Sequence, residues 1–397
     1  MKKAFLAVLL AVFTLSLYAA ADSPKFSAKL VLSKAVNVED QFAGILPERP
    51  PFFPSLGKVA VGEPFRVYIV FNGAKVRKNT VKLKGELELI APDGKKQVVP
   101  LAEQSIPLRG DSAGVFLLPQ HLEIIFEPED PVGTHKIALK LVDQHARKTA
   151  KDSASVELTK TLPPPASDEE ALEKVSAYYR SPCPENILPA FRAYLKKIPA
   201  QQKKEKNYFN PFPQLALFCF LLQENPQMVE PFADMVAKST DEGEKYYGYF
   251  VLNFVSPKAA EYIPAELKKR FGRIKKNPFV VDQVREPWQL DVCWVEFMVR
   301  GTREPVMKIL NSLSLVHEGI TVEDYKKIAN PTQEDQRKLM NGLVVEAAQW
   351  SIQSISKQHP LLRFYIEAVL KRQELKDPFA MALAAKAIGM EVRIKDE

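Results

Sequence analysis

Two carboxylates in one short segment could do acid–base chemistry. The run 290–300 (LDVCWVEFMVR) places Asp291 and Glu296 beside Trp294 and Arg300. Two carboxylates can act as general acid and general base when their surroundings hold their pKa values apart. The same residues also have structural roles in a helix, because Glu296 and Arg300 are four apart and can pair. A carboxylate at Asp291 suits a helix N-terminus. Only the catalytic interpretation requires Asp291 and Glu296 to meet.

A second segment, 350–360 (WSIQSISKQHP), contains Trp350 and His359, which together with Trp294 are candidate binding residues, and His359 could also act as a base. Histidine titrates near neutral pH, but His359 precedes a proline and is expected to end a helix. A central packed helical hairpin therefore competes with an active site as the role of these two segments. No hydrolase, metalloprotease, dinucleotide or phosphate-loop motif occurs in the chain. We predict no catalytic residue and no cofactor.

Metal binding is also not indicated, because no histidines are spaced as ligands on one helix and no C-x-x-C pair occurs. The three cysteines include one in a loop, Cys183, which could pair with one of the other two. Cys219 and Cys293 lie in apolar runs and are predicted to be buried. The histidines are His121, His135, His145, His317 and His359.

Two aromatic segments could bind a partner or a sugar. Phe52 and Phe53 stand among prolines in the segment 38–57, which interrupts the surrounding strand pattern. Tyr208 and Phe209 precede an apolar helical run. Exposed aromatic rings would stack on a polysaccharide or anchor a protein. The alternative for 38–57 is a loop that packs its own phenylalanines, against the second domain for instance.

The elements that position these residues fall into two classes. Residues 22–160 alternate apolar and polar side chains over short runs between turns, as in 81–90 (VKLKGELELI), which predicts an antiparallel β-sandwich. Residues 161–166 (TLPPPA) form a proline-rich linker. From 167 to 397 the period becomes helical, and apolar helices alternate with more amphipathic ones across short breaks. This pattern predicts an all-α domain of stacked helical hairpins.

Sequence resemblances agree with these two classes. The segments 59–65 (VAVGEPF) and 130–137 (DPVGTHKI) resemble conserved strand motifs of bacterial immunoglobulin-like and fibronectin-III-like domains. The helical part resembles a degenerate solenoid of the tetratricopeptide or HEAT type, although its breaks have no fixed period. The segment 350–360 resembles one in uncharacterised bacterial helical proteins. These resemblances imply folds that commonly bind partners, and they imply no activity.

The first residues of the chain are typical of an export signal. Two lysines, an apolar run and the small residues of 19–21 (AAA) predict a signal peptide over 1–21 with cleavage after Ala21. The mature chain is then expected in the periplasm or outside the cell. We expect no membrane span in it, because the later sequence has no apolar run of sufficient length.

Charge excludes nucleic acid as the expected partner. The 55 lysines and arginines nearly balance 48 acidic residues, and the net charge of +7 is not gathered in one long basic run. The sequence therefore predicts a non-enzymatic exported envelope protein that binds another envelope protein or acts as a scaffold. The alternatives are a module that binds surface polysaccharide and, third, a hydrolase with an unrecognised site in the helical domain.

Overall fold

The computed structural model describes residues 25–35, 37–49, 56–108, 114–161, 165, 167–204 and 210–391. The predicted signal peptide and its cleavage site after Ala21 lie outside the described residues. So do the predicted contact residues Phe52, Phe53, Tyr208 and Phe209, and most of the proline-rich linker.

Strands dominate the N-terminal part of the molecule, where the sequence alternates apolar and polar residues. In the strand 80–90, for example, Val81, Leu83 and Leu87 are buried while lysines between them point outward. The strands are β1 (Ser27–Ser33), β2 (Lys58–Ala60), β3 (Pro64–Asn72), β4 (Thr80–Ile90), β5 (Lys96–Pro107), β6 (Phe116–Leu117), β7 (Leu122–Ile125), β8 (Gly133–Asp143) and β9 (Lys148–Thr159).

These strands form two sheets. In the first sheet β3 is central and pairs antiparallel with β1 on one side and with β6 and β7 on the other. The second sheet has the order β2-β9-β8-β4-β5, in which β2 and β9 run parallel and the other pairs antiparallel. A β-bulge between Leu83 and Gly85 shifts the register of β4 against β5. Both sheets contribute side chains to one hydrophobic cluster, so their apolar faces share a core.

Helices make up the C-terminal part. Side-chain caps start several of them, including Ser167, whose hydroxyl accepts a hydrogen bond from the Glu170 amide, as the sequence pattern predicts. They are α2 (Asp168–Ser176), α3 (Ile187–Lys204), α4 (Phe212–Glu224), α5 (Val229–Lys238), α6 (Glu242–Val255), α7 (Ala265–Phe271), α8 (Pro287–Arg300), α9 (Arg303–Ser312), α10 (Val322–Lys326), α11 (Gln333–Gln358), α12 (Pro360–Lys371) and α13 (Pro378–Ala387).

Helix α8 lies at the centre of the helical part, packed against α4, α9 and α11. It is buried on most of its circumference, and its two faces contribute Leu290, Phe297 and Val292 to the large C-terminal core. Short 3₁₀ turns connect several neighbouring helices, as at Pro226–Met228 between α4 and α5. None of the helices in the described ranges is both long and apolar enough to cross a lipid bilayer.

The segment 38–57, for which the sequence predicts a loop, begins with a further helix, α1 (Val38–Gly44). Seven residues are too few for a helical period to be recognised. Such a short helix is also unstable alone and depends on tertiary contacts. On one side α1 packs against Tyr68 of the β-rich part, and on the other it contacts α9 and α12, more than 250 positions away in the chain, so it connects the β-rich part to the helices.

Candidate functional site

Helix α1 docks on the helical part by close packing. Its last residue, Gly44, lies against the buried ring of Tyr365 in α12, and a Cβ atom at position 44 would come within 2.5 Å of that ring. The next residue, Ile45, is buried in the C-terminal core. The Arg372 guanidinium donates hydrogen bonds to the carbonyl oxygens of Ala43 and Ile45, at 3.3 and 2.7 Å. Position 44 therefore has room only for glycine.

Ion pairs continue this junction beyond α1. Lys371 pairs with Glu48 at 3.0 Å, and Arg49 pairs at 3.1 Å with Glu367, a buried carboxylate that also accepts from Arg363. A hydrogen bond from its own backbone amide and the neighbouring Lys371 ammonium lower the pKa of Glu48. The buried Glu367 carboxylate therefore has two arginine partners, Arg49 from the segment after α1 and Arg363 from its own helix.

The start of α1 is tied to the end of α8. Asn37 has a left-handed backbone, with φ of 56°, and its side-chain amide donates to the Arg300 carbonyl at 2.9 Å. The Tyr365 hydroxyl donates to the next carbonyl, that of Gly301, at 2.7 Å. Carbonyls at a helix C-terminus have no partner within the helix. Here a residue from the β-rich part and one from α12 satisfy two of them.

The side chain of Arg300 forms a buried polar network. Its guanidinium donates to Glu296 on the same helix, as the sequence predicts, and also to Glu224 at 2.9 Å and Gln223 at 2.8 Å. Lys308 approaches the second oxygen of Glu296 at 3.7 Å. The network satisfies the buried Glu296 carboxylate, so its most direct role is structural.

Asp291 does not join this network. It lies five residues before Glu296, which places the two about 140° apart around the helix, and the residue is largely exposed. Neighbouring atoms still partly desolvate its carboxylate and raise its pKa. The pair of carboxylates in 290–300 therefore does not form the acid–base pair that the catalytic hypothesis needs.

His359 stands between α11 and α12, where its backbone amide caps α11. The Arg180 guanidinium donates to the Tyr179 hydroxyl at 3.0 Å, and that hydroxyl lies 3.2 Å from His359 Nδ1. Burial, together with the positive charge of Arg180, lowers the pKa of His359 to about 4. The imidazole is thus neutral at neutral pH and shares a hydrogen bond with the Tyr179 hydroxyl. Such an imidazole is a weak base.

The two tryptophans predicted as contact residues lie in opposite environments. Trp294 is only 5% exposed and packs against Phe297, and its indole N–H finds no acceptor among the residues that the structure describes. Trp350, in contrast, is 71% exposed on α11. The structure therefore does not combine them into one site, and of these two only Trp350 is available to a partner.

Further exposed apolar side chains lie on the same C-terminal helices. Phe379, at the start of α13, is 59% exposed and contacts the His317 ring edge-on at 5.1 Å. Met340 on α11 and Met390 after α13 are also exposed. Sequence reasoning missed Phe379, because the apolar run 378–385 gives no sign of which of its residues faces solvent.

Burial affects the three cysteines in the same way. Cys183, Cys219 and Cys293 are all buried and unpaired in the described structure. Desolvation raises the pKa of each thiol to about 12. Protonated thiols are poor nucleophiles. The disulfide considered for Cys183 is not formed here.

A cleft of about 460 Å³ opens where the β-rich and helical parts meet. On one wall Lys34 pairs with Glu63 at 2.8 Å and Arg66 pairs with Glu123 at 3.1 Å. The opposite wall comes from helical residues, including Glu224. We call this the junction cleft. Sequence reasoning did not find it, since its residues are far apart in the chain and each is unremarkable alone.

Metal-binding geometry is not found in the described ranges, where no group of three or more His, Cys, Asp and Glu side chains could hold an ion.

Comparison with known proteins identifies no family. No family model matches the sequence, and no curated protein matches it. Among solved structures, the chain is similar to a CARDB domain from Pyrococcus furiosus (9% identity, 36% of this chain and 94% of that chain, TM-score 0.20). It is also similar to superoxide reductase from Ignicoccus hospitalis (10% identity, 28% of this chain and 82% of that chain, TM-score 0.20). A third similar structure is that of a Niemann-Pick type C2 protein from the Japanese carpenter ant (8% identity, 36% of this chain and 100% of that chain, TM-score 0.19). Similarity at this level implies neither a shared activity nor a shared ligand.

Proposed function

We propose that this chain is an exported, non-enzymatic envelope protein that works by binding protein through its C-terminal helices. The observation that carries the proposal is the exposure of Trp350, an indole left 71% uncovered on a well-packed helix. Tryptophan is among the residues most enriched at the energetic centres of protein interfaces. Phe379 and Met340 extend the uncovered apolar surface along the same group of helices.

The environment of the other candidate residues supports binding over catalysis. Glu296 forms an ion pair with Arg300 within the protein, and the imidazole of His359 is hydrogen-bonded to the Tyr179 hydroxyl. An active site would instead direct such groups toward a shared pocket. In this protein each of them stabilises contacts between helices.

We further infer that the N-terminal part is an immunoglobulin-like β-sandwich and that the helices stack as degenerate hairpins. The two sheets with one shared core support the first inference, and α8 and α9, joined by the single turn at Gly301, support the second. Because α1 holds the two parts together, the sandwich would act as a rigid spacer that fixes the direction of the binding helices.

The proposal is tested by photo-crosslinking in cells. Benzoylphenylalanine replaces Trp350 in the tagged full chain, and the matched control carries it at Val98, which is 56% exposed on β5. We expect one dominant protein adduct at position 350 and none at position 98. Recovery of the uncrosslinked chain alone at position 350 would contradict protein binding at this surface.

The junction cleft supports a second candidate, binding of a surface polysaccharide. Its ion pairs, such as Arg66 with Glu123, present both donors and acceptors to sugar hydroxyls. A glycan array probed with the wild type and with the double variant Arg66→Ala/Glu123→Ala separates the two candidates. Binding that the variant loses would favour this second function, and equal binding by both proteins would exclude the cleft.

A further inference from the structure

A short segment of the helical part concentrates positive charge on the surface. Although the chain as a whole is nearly balanced, the nine residues 268–276 (KKRFGRIKK) contain six lysines and arginines and no acid. They form the last turn of α7 and the loop that follows it, and all six basic residues are exposed. We call these nine residues the basic run.

Buried aromatic rings anchor the basic run to the rest of the protein. Phe271 within the run and Phe279 just after it both pack edge-on against Phe250 of α6, with ring centroids 5.6 and 6.0 Å away. Between them the chain turns tightly, and the Ile274 amide donates to the Phe271 carbonyl at 2.9 Å. The cations are therefore presented by an anchored segment whose inner side belongs to the helical core.

Most of these cations have no counter-charge within the protein. Among the residues that the structure describes, only Lys276 of the six forms an ion pair, with Asp282 at 3.0 Å. The Arg270 guanidinium lies over the Tyr246 ring, 5.0 Å from its centroid, and has no carboxylate partner there. Five neighbouring cations thus create a positive potential that no acid of the described structure neutralises. An external anionic surface would relieve their mutual repulsion.

Exposed apolar side chains lie among the cations. Ile274, which has a basic residue on each side, is 39% exposed, and Val280, four residues beyond the run, is 51% exposed. Tyr262 is exposed as well, and the Lys268 ammonium donates to the carbonyl of the preceding residue at 3.2 Å, which brings the start of the run close to this ring. A partner that offers both anionic groups and an apolar region would satisfy both features of this surface.

We propose that the basic run binds the surface of an anionic lipid bilayer. Its cations contact lipid phosphates, while Ile274 and Val280 enter the boundary between the headgroups and the acyl chains. Soluble polyanions match the charge, but they offer no hydrocarbon to the two aliphatic side chains. This contact holds the chain at a membrane surface without a spanning helix. It is independent of the proposed protein contact, because Trp350 lies on a different helix.

The test is co-sedimentation of the purified protein with sucrose-loaded vesicles. Residues 1–21 are left out, because their apolar run would itself bind lipid. Vesicles of phosphatidylethanolamine with phosphatidylglycerol carry negative charge, whereas vesicles of phosphatidylcholine carry no net charge. We expect the protein to sediment with the first kind and to stay in solution with the second. Raising the salt concentration from 0.1 M to 1 M shortens the Debye length from about 10 Å to about 3 Å and should release most of the bound protein.

Two double variants with the same change of net charge separate the basic run from charge in general. Lys269→Gln/Arg273→Gln removes two exposed cations from the run. Lys84→Gln/Lys136→Gln removes two exposed lysines from the β-rich part and serves as the control. Each cation near an anionic membrane contributes about fivefold in affinity, so the first variant should bind about 25-fold more weakly than the wild type. The control should remain within about twofold, because its lysines lie outside the proposed contact.

A third variant, Ile274→Ser/Val280→Ser, distinguishes a bilayer from a soluble polyanion. It should bind the anionic vesicles about fivefold more weakly, since two aliphatic side chains no longer enter the lipid, and it should bind dextran sulfate as the wild type does. Circular dichroism checks that every variant is folded.

Three results would overturn the inference. The first is a wild type that binds both kinds of vesicle equally, or neither. The second is a Lys269/Arg273 variant that binds as tightly as its control. The third is an Ile274/Val280 variant that binds anionic vesicles as tightly as the wild type, because the basic run would then recognise negative charge alone.

Discussion

The junction around α1 and the exposed side of α11 with Met340 and Trp350, which we call the outer stripe, are opposite in how completely their groups are satisfied. At the junction, Gly44 fits against a ring with no spare space and the Arg300 network gives a buried carboxylate its partners. On the outer stripe, Trp350 is left mostly uncovered. The first region is therefore expected to determine the stability of the protein, and the second its association.

Among the substitutions that test this contrast, Arg300→Met is expected to cause the largest loss of unfolding free energy. The substitution removes the guanidinium that pairs with the buried Glu296 and with Glu224, and it leaves Glu296 with only the more distant Lys308 ammonium at 3.7 Å. Breaking a buried ion pair in this way costs about 3 kcal/mol of unfolding free energy. The control Arg337→Met removes an exposed arginine from its surface pairs with Glu334 and Glu318, and we expect a much smaller loss of stability, because solvent screens such pairs. Urea denaturation of both variants measures the difference. Equal losses would mean that the Arg300 network is no more important than a surface pair.

Gly44→Val should have the next largest effect. A side chain at this position overlaps the buried Tyr365 ring, and such overpacking costs about 2–3 kcal/mol. Gly57→Val is the matched control, because a Cβ at position 57 meets no atom within 4 Å. Comparison of the two urea midpoints tests whether α1 docks as described. A Gly44 variant as stable as its control would show that α1 is not held against α12.

A pH effect of intermediate size is expected from His359. Its folded pKa of about 4 lies below the ordinary value of 6.5, so the unfolded chain binds the proton more readily between these pH values. Stability is therefore complete above pH 6.5 and falls as the pH drops toward 4, by about 2 kcal/mol after allowance for solvent screening.

The variant His359→Asn isolates this contribution, because asparagine offers an acceptor to the Tyr179 hydroxyl without titrating. The difference in unfolding free energy between wild type and variant should change across pH 6.5 to 4. A constant difference over that range would mean that His359 does not titrate as its burial implies.

The smallest stability change is expected at the outer stripe. Trp350→Ala should alter the unfolding free energy of the monomer by no more than about 0.5 kcal/mol, because the indole makes few contacts within one chain. The measurement is thermal unfolding at a low protein concentration, at which the chain does not associate. A large loss of monomer stability would mean that Trp350 has a packing role, and the contrast between the two regions would fail.

Local patterns in the sequence predict much of the fold. The alternation in 81–90 predicts β4, because one buried face and one wet face require that spacing. The run 290–300 predicts α8 and its Glu296–Arg300 pair, since both depend only on residues within a few turns. Helix α1 could not be predicted in this way. Its stability comes from Tyr365 and Arg372, and a hydrogen bond such as that from Arg372 to Ile45 spans 327 positions.

The exposed site around Trp350 could be predicted only in part, because it too depends on how distant helices pack. The sequence identified Trp350 as a contact residue, but α11 has apolar residues on more than one side, such as Leu343 and Val344. Helical spacing alone does not tell which side faces the core. The choice is made by the turn Leu313–His317 and by α8, α12 and α13, which pack against α11 and bury part of its surface.

The docking of α1 also has a consequence for the order in which the chain completes its structure. Residues 38–44 are synthesised early, whereas α12, which receives them, is among the last helices to be made. Until α12 exists, α1 can pack only against the β-rich part and lacks its contacts with Tyr365 and Arg372, and a helix this short depends on such contacts. The strands can pair beforehand, but α1 is expected to reach its final position only after α12 has been synthesised.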